Sequence, residues 1–231
     1  MLHLSSWELP PSKPLANVTE ESRAPEIYVL AGTNGAGKSS IIGAMILKLG
    51  TAYFNPDEAT KKILAARTGI TLDEANSAAW HEGTRLLQRA IDERLDFAFE
   101  TTLGGRTITE MVQSAIAAGF EVRVWYVGLE SPELHIARVR ARVARGGHDI
   151  PTERILERYD QSRYNLIQLL PKLTELRVYD NSEEGDPSAG ALPRPKLILH
   201  MLRKRIVEIL DLHTAPEWAK PILAAAINLQ T

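Results

Sequence analysis

The residues best suited to do chemistry lie in one glycine-rich stretch, whose letters from residue 32 to residue 39 are GTNGAGKS. This stretch fits the phosphate-binding pattern G-x-x-x-x-G-K-[S/T] at every fixed position. Glycines let the backbone turn sharply, so that its N–H groups approach phosphate oxygens. In such a loop Lys38 reaches the β- and γ-phosphates, and the Ser39 hydroxyl binds Mg²⁺. The stretch therefore predicts a site for a nucleoside triphosphate and Mg²⁺.

The elements around the loop are the ones that this motif needs. Residues 27–31 form a short apolar run that predicts a strand, and residues 40–49 place apolar side chains on one helical face. The N-terminus of that helix adds a dipole that favours a bound anion. We expect nucleotide contacts from the whole segment, namely Gly32, Thr33, Asn34, Gly35, Ala36, Gly37, Lys38, Ser39 and Ser40.

Arginines along a later helix predict a second group of phosphate ligands. Arg138, Arg142 and Arg145 form one helical stripe. Residues 134–147 contain four arginines and no acid, which favours an anionic partner because a solvated helix face usually mixes signs. The planar guanidinium matches phosphate oxygens, so we expect a mobile lid over the transferred phosphoryl group. A merely basic, exposed helix is the alternative.

Two carboxylates follow predicted strands. Asp57 comes after a short strand at residues 51–55, where Asn55 caps a helix that has Pro56 at its first position. As a base, Asp57 would orient an acceptor hydroxyl and take its proton. An acid that only stabilises the helix dipole is an equal alternative. Glu100 ends an apolar strand, where a carboxylate is costly to bury unless it is paired or working, and a structural hydrogen bond is its alternative.

Composition and missing motifs narrow the class of protein. The 231 residues carry a net charge of −2 and no cysteine, which excludes disulfides and gives no global attraction to nucleic acid or acidic membranes. No signal peptide or membrane-length apolar run is visible, so we expect a cytoplasmic protein. The N-K-x-D string of GTPases and the L-S-G-G-Q-like signature of transporter ATPases do not occur. Small P-loop kinases remain.

The alternation of short apolar strands with helical patterns predicts the fold. We expect an α/β protein with a doubly wound, mainly parallel sheet of about five strands flanked by helices, and a helical lid. Ligands of such sheets bind at the carboxyl ends of the strands. We divide the chain into an N-terminal arm at residues 1–24, a P-loop kinase domain at 25–184, and a C-terminal extension at 185–231 that is a loop followed by helix.

Five ordered motifs resemble the zeta-toxin family, and most of all its chromosomally encoded, stand-alone branch. They are GAGKS in the loop, NPDE at 55–58, FETT at 99–102, RGGHDIP at 145–151 and YDNS at 179–182. Zeta toxins are bacterial kinases of toxin–antitoxin systems. Those characterised use ATP and Mg²⁺ to phosphorylate the 3′-hydroxyl of the amino sugar in UDP-N-acetylglucosamine. The resemblance implies the same cofactors and the same class of reaction for this chain.

The resemblance also implies roles for single residues. Lys38 and Ser39 hold phosphates and metal, and Asp57 is the catalytic base. Arg145 matches the lid arginine on the γ-phosphate, and Arg138 is preferred to Arg142 as a second, upstream arginine. The positions implied at the substrate pocket are Glu100, Thr101, Thr102 and, close to but out of register with a further family acid, Glu82.

Partners follow from the same resemblance. In the family's two-protein systems a small helical antitoxin covers the ATP site. Here we expect either a separate antitoxin or a cis-acting segment, before the first strand or after Pro195. A UDP-sugar kinase is the leading hypothesis. A kinase of the same fold acting on another small hydroxyl compound and a nucleotide-binding regulator are the alternatives, and direct nucleic-acid binding is the least favoured.

Overall fold

Seven strands form one sheet in the computed structural model of the chain, which describes residues 23–38, 51–147, 149–183 and 195–231. The strands are β1 (Glu26–Ala31), β2 (Ala52–Phe54), β3 (Phe97–Thr101), β4 (Glu121–Gly128), β5 (Glu175–Asp180), β6 (Lys196–Leu202) and β7 (Arg205–Ile209). Their order across the sheet is β2-β3-β1-β4-β5-β6-β7.

Helices join the parallel strands. In the described part of the chain they are α1 (Pro56–Ala66), α2 (Leu72–Asp92), α3 (Arg106–Ala117), α4 (Pro132–Val143), α5 (Thr152–Leu169) and α6 (Lys220–Asn228). Short 3₁₀ turns lie at Leu170–Lys172 and Glu217–Ala219. Among these residues, no helix combines the length and the apolar character needed to cross a membrane. The first 22 residues of the predicted arm, and the predicted helix after the loop, lie outside the described residues.

The central strand β1 shows why the sheet is buried on both faces. It pairs in parallel with β3 on one side and with β4 on the other. Its alternate residues enter two apolar clusters, with Ile27 and Val29 in the larger and Tyr28 and Leu30 in the smaller. A strand covered on both faces reads as a continuous apolar run, as residues 27–31 do. The predicted α/β fold with a mainly parallel sheet is confirmed.

The C-terminal extension departs from the prediction. Residues 196–209 are strands rather than helix, since β6 pairs antiparallel with β5 and β7 pairs antiparallel with β6. Only α6 and the preceding 3₁₀ turn are helical in the described part of this extension. A short apolar run such as LILHML does not distinguish helix from strand by its period. The hairpin turn uses Arg203 and Lys204, both with positive φ, instead of the Asn-Gly pair that announces such turns.

Candidate active site

The loop after β1 has the backbone of a phosphate-binding loop. Gly32, Gly35 and Gly37 all have positive φ, at 140°, 86° and 82°. At Gly32 and Gly35 the packing requires glycine too, in addition to the positive φ. A Cβ on Gly32 would lie 2.1 Å from the Val127 carbonyl oxygen, and one on Gly35 would lie 2.7 Å from the His135 carbonyl oxygen. The loop is therefore held tightly between β4 and α4, and larger residues are excluded from it.

Side chains from three distant elements fix the loop from behind. His135 Nδ1 lies 2.8 Å from the Asn34 carbonyl oxygen, so this nitrogen donates. Arg158 on α5 donates from Nη1 to Asn34 Oδ1 at 2.8 Å. Asn181, after β5, donates from Nδ2 to the Ala36 carbonyl at 2.9 Å. The loop is thus pre-organised before any ligand arrives.

Lys38 lies at the centre of the charged groups. Its Nζ donates to the Gly32 carbonyl oxygen at 2.8 Å. Burial lowers the pKa of Lys38, and the Glu100 and Asp57 carboxylates oppose this lowering. These two acids therefore lie within electrostatic reach of the lysine, as do Arg142 and Arg158. The fold brings a lysine, two carboxylates and two arginines from five separate segments to one place.

Asp57 stands in the first turn of α1, as the sequence predicts. Asn55 caps that helix, because its side chain accepts the N–H groups of Asp57 and Glu58 at 2.9 and 3.2 Å. Pro56 occupies the first position. The carboxylate faces α4, the helix predicted as a lid, where Arg142 Nη1 lies 3.2 Å from Asp57 Oδ2. A carboxylate beside a P-loop lysine and a lid arginine can orient a hydroxyl group and accept its proton.

The three arginines of the predicted lid stripe have different contacts. Arg142 reaches Asp57, whereas Arg138 donates to the Ser182 carbonyl oxygen at 3.3 Å. Arg145 lies in the turn just after α4, donates to the Ala141 carbonyl of that helix and is exposed. In this arrangement the structure brings Arg142 to the predicted base, rather than the preferred Arg138 and Arg145. Ser39 and Ser40 lie outside the described residues.

Glu100 is buried at the carboxyl end of β3, with 7% of its surface exposed. The Tyr53 hydroxyl donates to Glu100 Oε1 at 2.6 Å. Burial raises the pKa of Tyr53, and the neighbouring Glu100 carboxylate raises it further. Thr101 and Thr102 shape the turn that follows, since their hydroxyls accept backbone N–H groups at 3.0 and 3.4 Å. The carboxylate is therefore held in one orientation at the edge where a ligand of this fold would lie.

Glu82 has a different surrounding from the other predicted substrate residues. It lies on α2, and its carboxylate accepts both Nε and Nη2 of Arg85 at 2.9 and 2.8 Å. This bidentate pair joins neighbours on one helix. These contacts of Glu82 are thus made within α2, whereas Glu100 and Asp57 both interact electrostatically with Lys38.

Sequence reasoning missed Arg158, Tyr53 and the position of His135. Arg158 contacts a loop residue 124 positions away, and burial lowers its pKa. Tyr53 contacts Glu100 across 47 positions. A spacing argument cannot find such pairs, because they depend on the packing of α5 against the loop and on the pairing of β2 with β3. The one signal in the sequence is the i, i+4 spacing of Arg154 and Arg158, which places both arginines on one side of a helix.

Replacing Tyr53 by phenylalanine tests the role of Glu100. The change removes the hydroxyl that orients a buried carboxylate, so we expect the acceptor KM to rise about tenfold, with the ATP KM nearly unchanged. Tyr164→Phe is the matched control, because that ring is 58% exposed. Steady-state kinetics with either substrate varied would measure both values. An unchanged acceptor KM would show that the contact between Tyr53 and Glu100 does not contribute to acceptor binding.

His135 makes the stability depend on pH. Burial lowers its pKa to about 4, from the usual 6.5. Below pH 6.5 the His135 imidazole binds a proton in the unfolded chain, whereas in the folded protein it stays neutral down to about pH 4. The folded state therefore loses stability relative to the unfolded state as the pH falls from 6.5 towards 4. We expect His135 to lower the free energy of unfolding by about 2 kcal/mol between about pH 7.5 and about pH 5.

The check is urea unfolding at both pH values for the wild type and for His135→Asn. The asparagine keeps a donor for the Asn34 carbonyl but cannot titrate. The variant should therefore lose less stability on acidification than the wild type. Equal losses in the two proteins would show that His135 takes its proton as easily when folded as when unfolded.

The groups that could hold a divalent cation are few. The described residues contain no cluster of three or more histidine, cysteine or acidic side chains that could hold a metal ion. Mg²⁺ in phosphate-binding loops keeps waters and needs only one or two protein ligands besides the phosphates. The single metal ligand predicted from the sequence, the Ser39 hydroxyl, is compatible with that requirement, and it lies outside the described residues.

The protein has the fold and the phosphate-binding loop of the P-loop kinases. The zeta toxin family model matches residues 13–185, and the chain belongs to that family. A protein of Haemophilus influenzae with the name "Uncharacterized protein" is 30% identical over 133 residues, which is 55% of this chain and 88% of that protein. The family resemblance read from the five motifs is confirmed.

Solved structures agree on the fold. A crystal structure of AvrRxo1-ORF1:-ORF2 with ATP superposes with a TM-score of 0.62 at 15% identity, covering 89% of this chain and 64% of that one. The native AvrRxo1-ORF1:-ORF2 complex gives a TM-score of 0.61 at 16% identity, covering 89% and 70%. The chain thus spans about two thirds of the length of these neighbours, and the likeness is one of fold.

Proposed function

We propose that this chain is an ATP- and Mg²⁺-dependent kinase that phosphorylates a sugar hydroxyl of UDP-N-acetylglucosamine or a related UDP-sugar in the cytoplasm. The observation that carries the proposal is the meeting of Asp57 with Arg142, at 3.2 Å, within the electrostatic reach of Lys38. A base, a lid arginine and the loop lysine are the parts that phosphoryl transfer to a hydroxyl requires.

The residues of this chain divide the work. The glycine-rich loop and Lys38 bind the phosphates of ATP, and the Ser39 hydroxyl would hold Mg²⁺, which neutralises phosphate charge when bound. Arg142 leaves Asp57 for the transferred phosphoryl group, because phosphate oxygens suit its planar fork better than a single carboxylate contact. Asp57 is then available to the acceptor.

The transfer step balances without any further reactant. Asp57 orients the acceptor hydroxyl and takes its proton as the new oxygen–phosphorus bond forms. The bond from the γ-phosphorus to the bridging oxygen breaks, and ADP leaves with that electron pair. Arg142 and Lys38 stabilise the negative charge spread over the oxygens in transit.

The acceptor site is proposed at the carboxyl end of β3. Glu100 is fixed by Tyr53 and is a hydrogen-bond acceptor for sugar hydroxyl groups, with Thr101 and Thr102 beside it. Membership of the zeta-toxin family supports a UDP-sugar as the molecule that binds there. Glu82 is kept as a more distant candidate, on the helix that flanks this strand.

An inhibitory partner belongs to the proposal. AvrRxo1-ORF1:-ORF2 is, by its name, a pair of proteins, which supports a separate antitoxin for this chain. Residues 196–228 build the sheet edge and its flanking helix. We therefore assign the alternative, cis-acting role to the N-terminal arm alone. Deleting residues 1–24 should raise the activity if the arm masks the site, and leave it unchanged if a separate protein does so.

An acceptor panel tests the proposed function. The wild type is incubated with ATP, Mg²⁺ and one acceptor at a time, and ADP release is followed by a coupled assay. The panel holds UDP-N-acetylglucosamine, UDP-glucose, uridine and an aminoglycoside. We expect the first to stimulate ADP release most. Stimulation by uridine or the aminoglycoside alone would favour another kinase specificity, and stimulation by none would favour a nucleotide-binding regulator.

A further inference from the structure

The end of β5 joins the nucleotide loop to the lid helix. Asn181 donates from its side chain to the Ala36 carbonyl of the loop at 2.9 Å. The Ser182 hydroxyl accepts the Glu130 N–H, just before α4, at 2.8 Å, and the Ser182 carbonyl accepts the Arg138 guanidinium at 3.3 Å. Residues 180–182 therefore hold the loop on one side and the start of the lid on the other.

Trp218 of the C-terminal extension holds this strand end in turn. Its indole Nε1 donates to Asp180 Oδ1 at 3.1 Å, and the same oxygen accepts the Ser182 hydroxyl at 2.5 Å. Trp218 is 3% exposed. Its ring lies against Gly128, where an added Cβ would come within 2.4 Å of it. Its carbonyl accepts Arg163 Nη1, on α5, at 3.1 Å, so the indole is fixed from several sides.

We propose that Trp218 is a positioning residue for nucleotide binding, acting through Asp180 on the loop and on the start of the lid helix. The proposal rests on the proposed kinase function. Residue 218 lies beyond residues 13–185, the part that the family model matches. A hydrogen bond to an ionised acceptor is stronger than a neutral one, and contiguous contacts of this kind transmit a change at one end to the other.

The test is Trp218→Phe, which keeps an aromatic ring and removes the indole N–H. Asp180 then loses the indole donor, and the strand end loosens beneath Ala36. We expect the Kd for ATP, measured by direct titration, to rise about fivefold, while kcat at saturating ATP changes less than about twofold. Trp80→Phe is the matched control, because Trp80 is 45% exposed on α2. The control should keep the wild-type Kd.

A double-mutant cycle separates positioning from simple loss of packing. Asp180→Ala alone leaves the buried indole N–H without its acceptor, whereas Trp218→Phe with Asp180→Ala removes both partners. If the pair acts through one hydrogen bond, the double variant binds ATP better than the product of the two single effects predicts. A lowered Tm in Trp218→Phe, with an unchanged ATP Kd well below that Tm, would reduce Trp218 to a packing residue and overturn the proposal.

Hydrogen exchange of the ligand-free protein keeps this test apart from that of the kinase function. Amides of residues 32–38 and 130–138 should exchange faster in Trp218→Phe than in the wild type and in Trp80→Phe. Unchanged exchange in both segments would overturn the positioning role. Failure of the proposed kinase function would give a different result. The wild type itself would then bind no ATP or transfer no phosphate, whatever residue stands at position 218.

Discussion

Replacing Asp57 by asparagine should lower kcat about a thousandfold and leave the Kd for ATP within about threefold of the wild type. Asparagine has nearly the same shape and still accepts a hydrogen bond from Arg142, but it cannot take the proton of the acceptor hydroxyl. The loop, Lys38 and the contacts behind the loop stay in place. Initial rates at saturating ATP and acceptor, with a separate ATP titration, would measure the two quantities.

The control for this variant lies one residue away. Glu58 is the other acid in the first turn of α1, and its side chain is 55% exposed and paired with Lys61 at 2.8 Å. Glu58→Gln removes the same charge from the helix N-terminus, so it reports any effect of the helix dipole. It should keep kcat within about twofold of the wild type. An Asp57→Asn enzyme that also stays within about tenfold would show that Asp57 only stabilises the helix.

Gly32→Ala should destroy both stability and nucleotide binding. The residue has a φ of 140°, and a Cβ there would lie 2.1 Å from the backbone oxygen of Val127. Neither the loop nor the neighbouring strand β4 can move away without disturbing the pairing of β1 with β4. We expect the free energy of unfolding to fall by at least about 3 kcal/mol.

Gly105→Ala is the control for this glycine. Gly105 has a φ of −103°, and nothing lies within 4 Å of a Cβ added to it. That variant should change the free energy of unfolding by less than about 1 kcal/mol. Urea unfolding of both variants, with an ATP titration of whichever folds, would measure the difference. Wild-type stability and ATP affinity in Gly32→Ala would contradict the tight packing of the loop against β4.

Much of this architecture follows from local patterns in the sequence. The glycines and the apolar run before them predict the loop, because few other sequences allow such positive φ values after a buried strand. Asn55 and Pro56 mark the start of α1, and the structure shows the predicted cap. The rule that ligands lie at the carboxyl ends of parallel strands places Asp57 and Glu100 at one edge.

The rest depends on contacts between distant segments. The choice between Arg138 and Arg142 is a matter of which turn of α4 faces Asp57, and residue spacing alone does not reveal that orientation. Arg158 reaches the loop only because α5 packs behind it. Trp218 had no assigned role in the sequence, because its acceptor Asp180 is reached through a hairpin whose turn lacks the usual glycine.

The most direct test of the central claim is transfer of a labelled γ-phosphate. The wild type is mixed with γ-labelled ATP, Mg²⁺ and UDP-N-acetylglucosamine, and the products are separated beside those of Asp57→Asn. We expect label on the UDP-sugar with the wild type and almost none with the variant. Label that remains in ATP or appears only as free phosphate, with equal amounts from both proteins, would contradict a sugar kinase that uses Asp57 as its base.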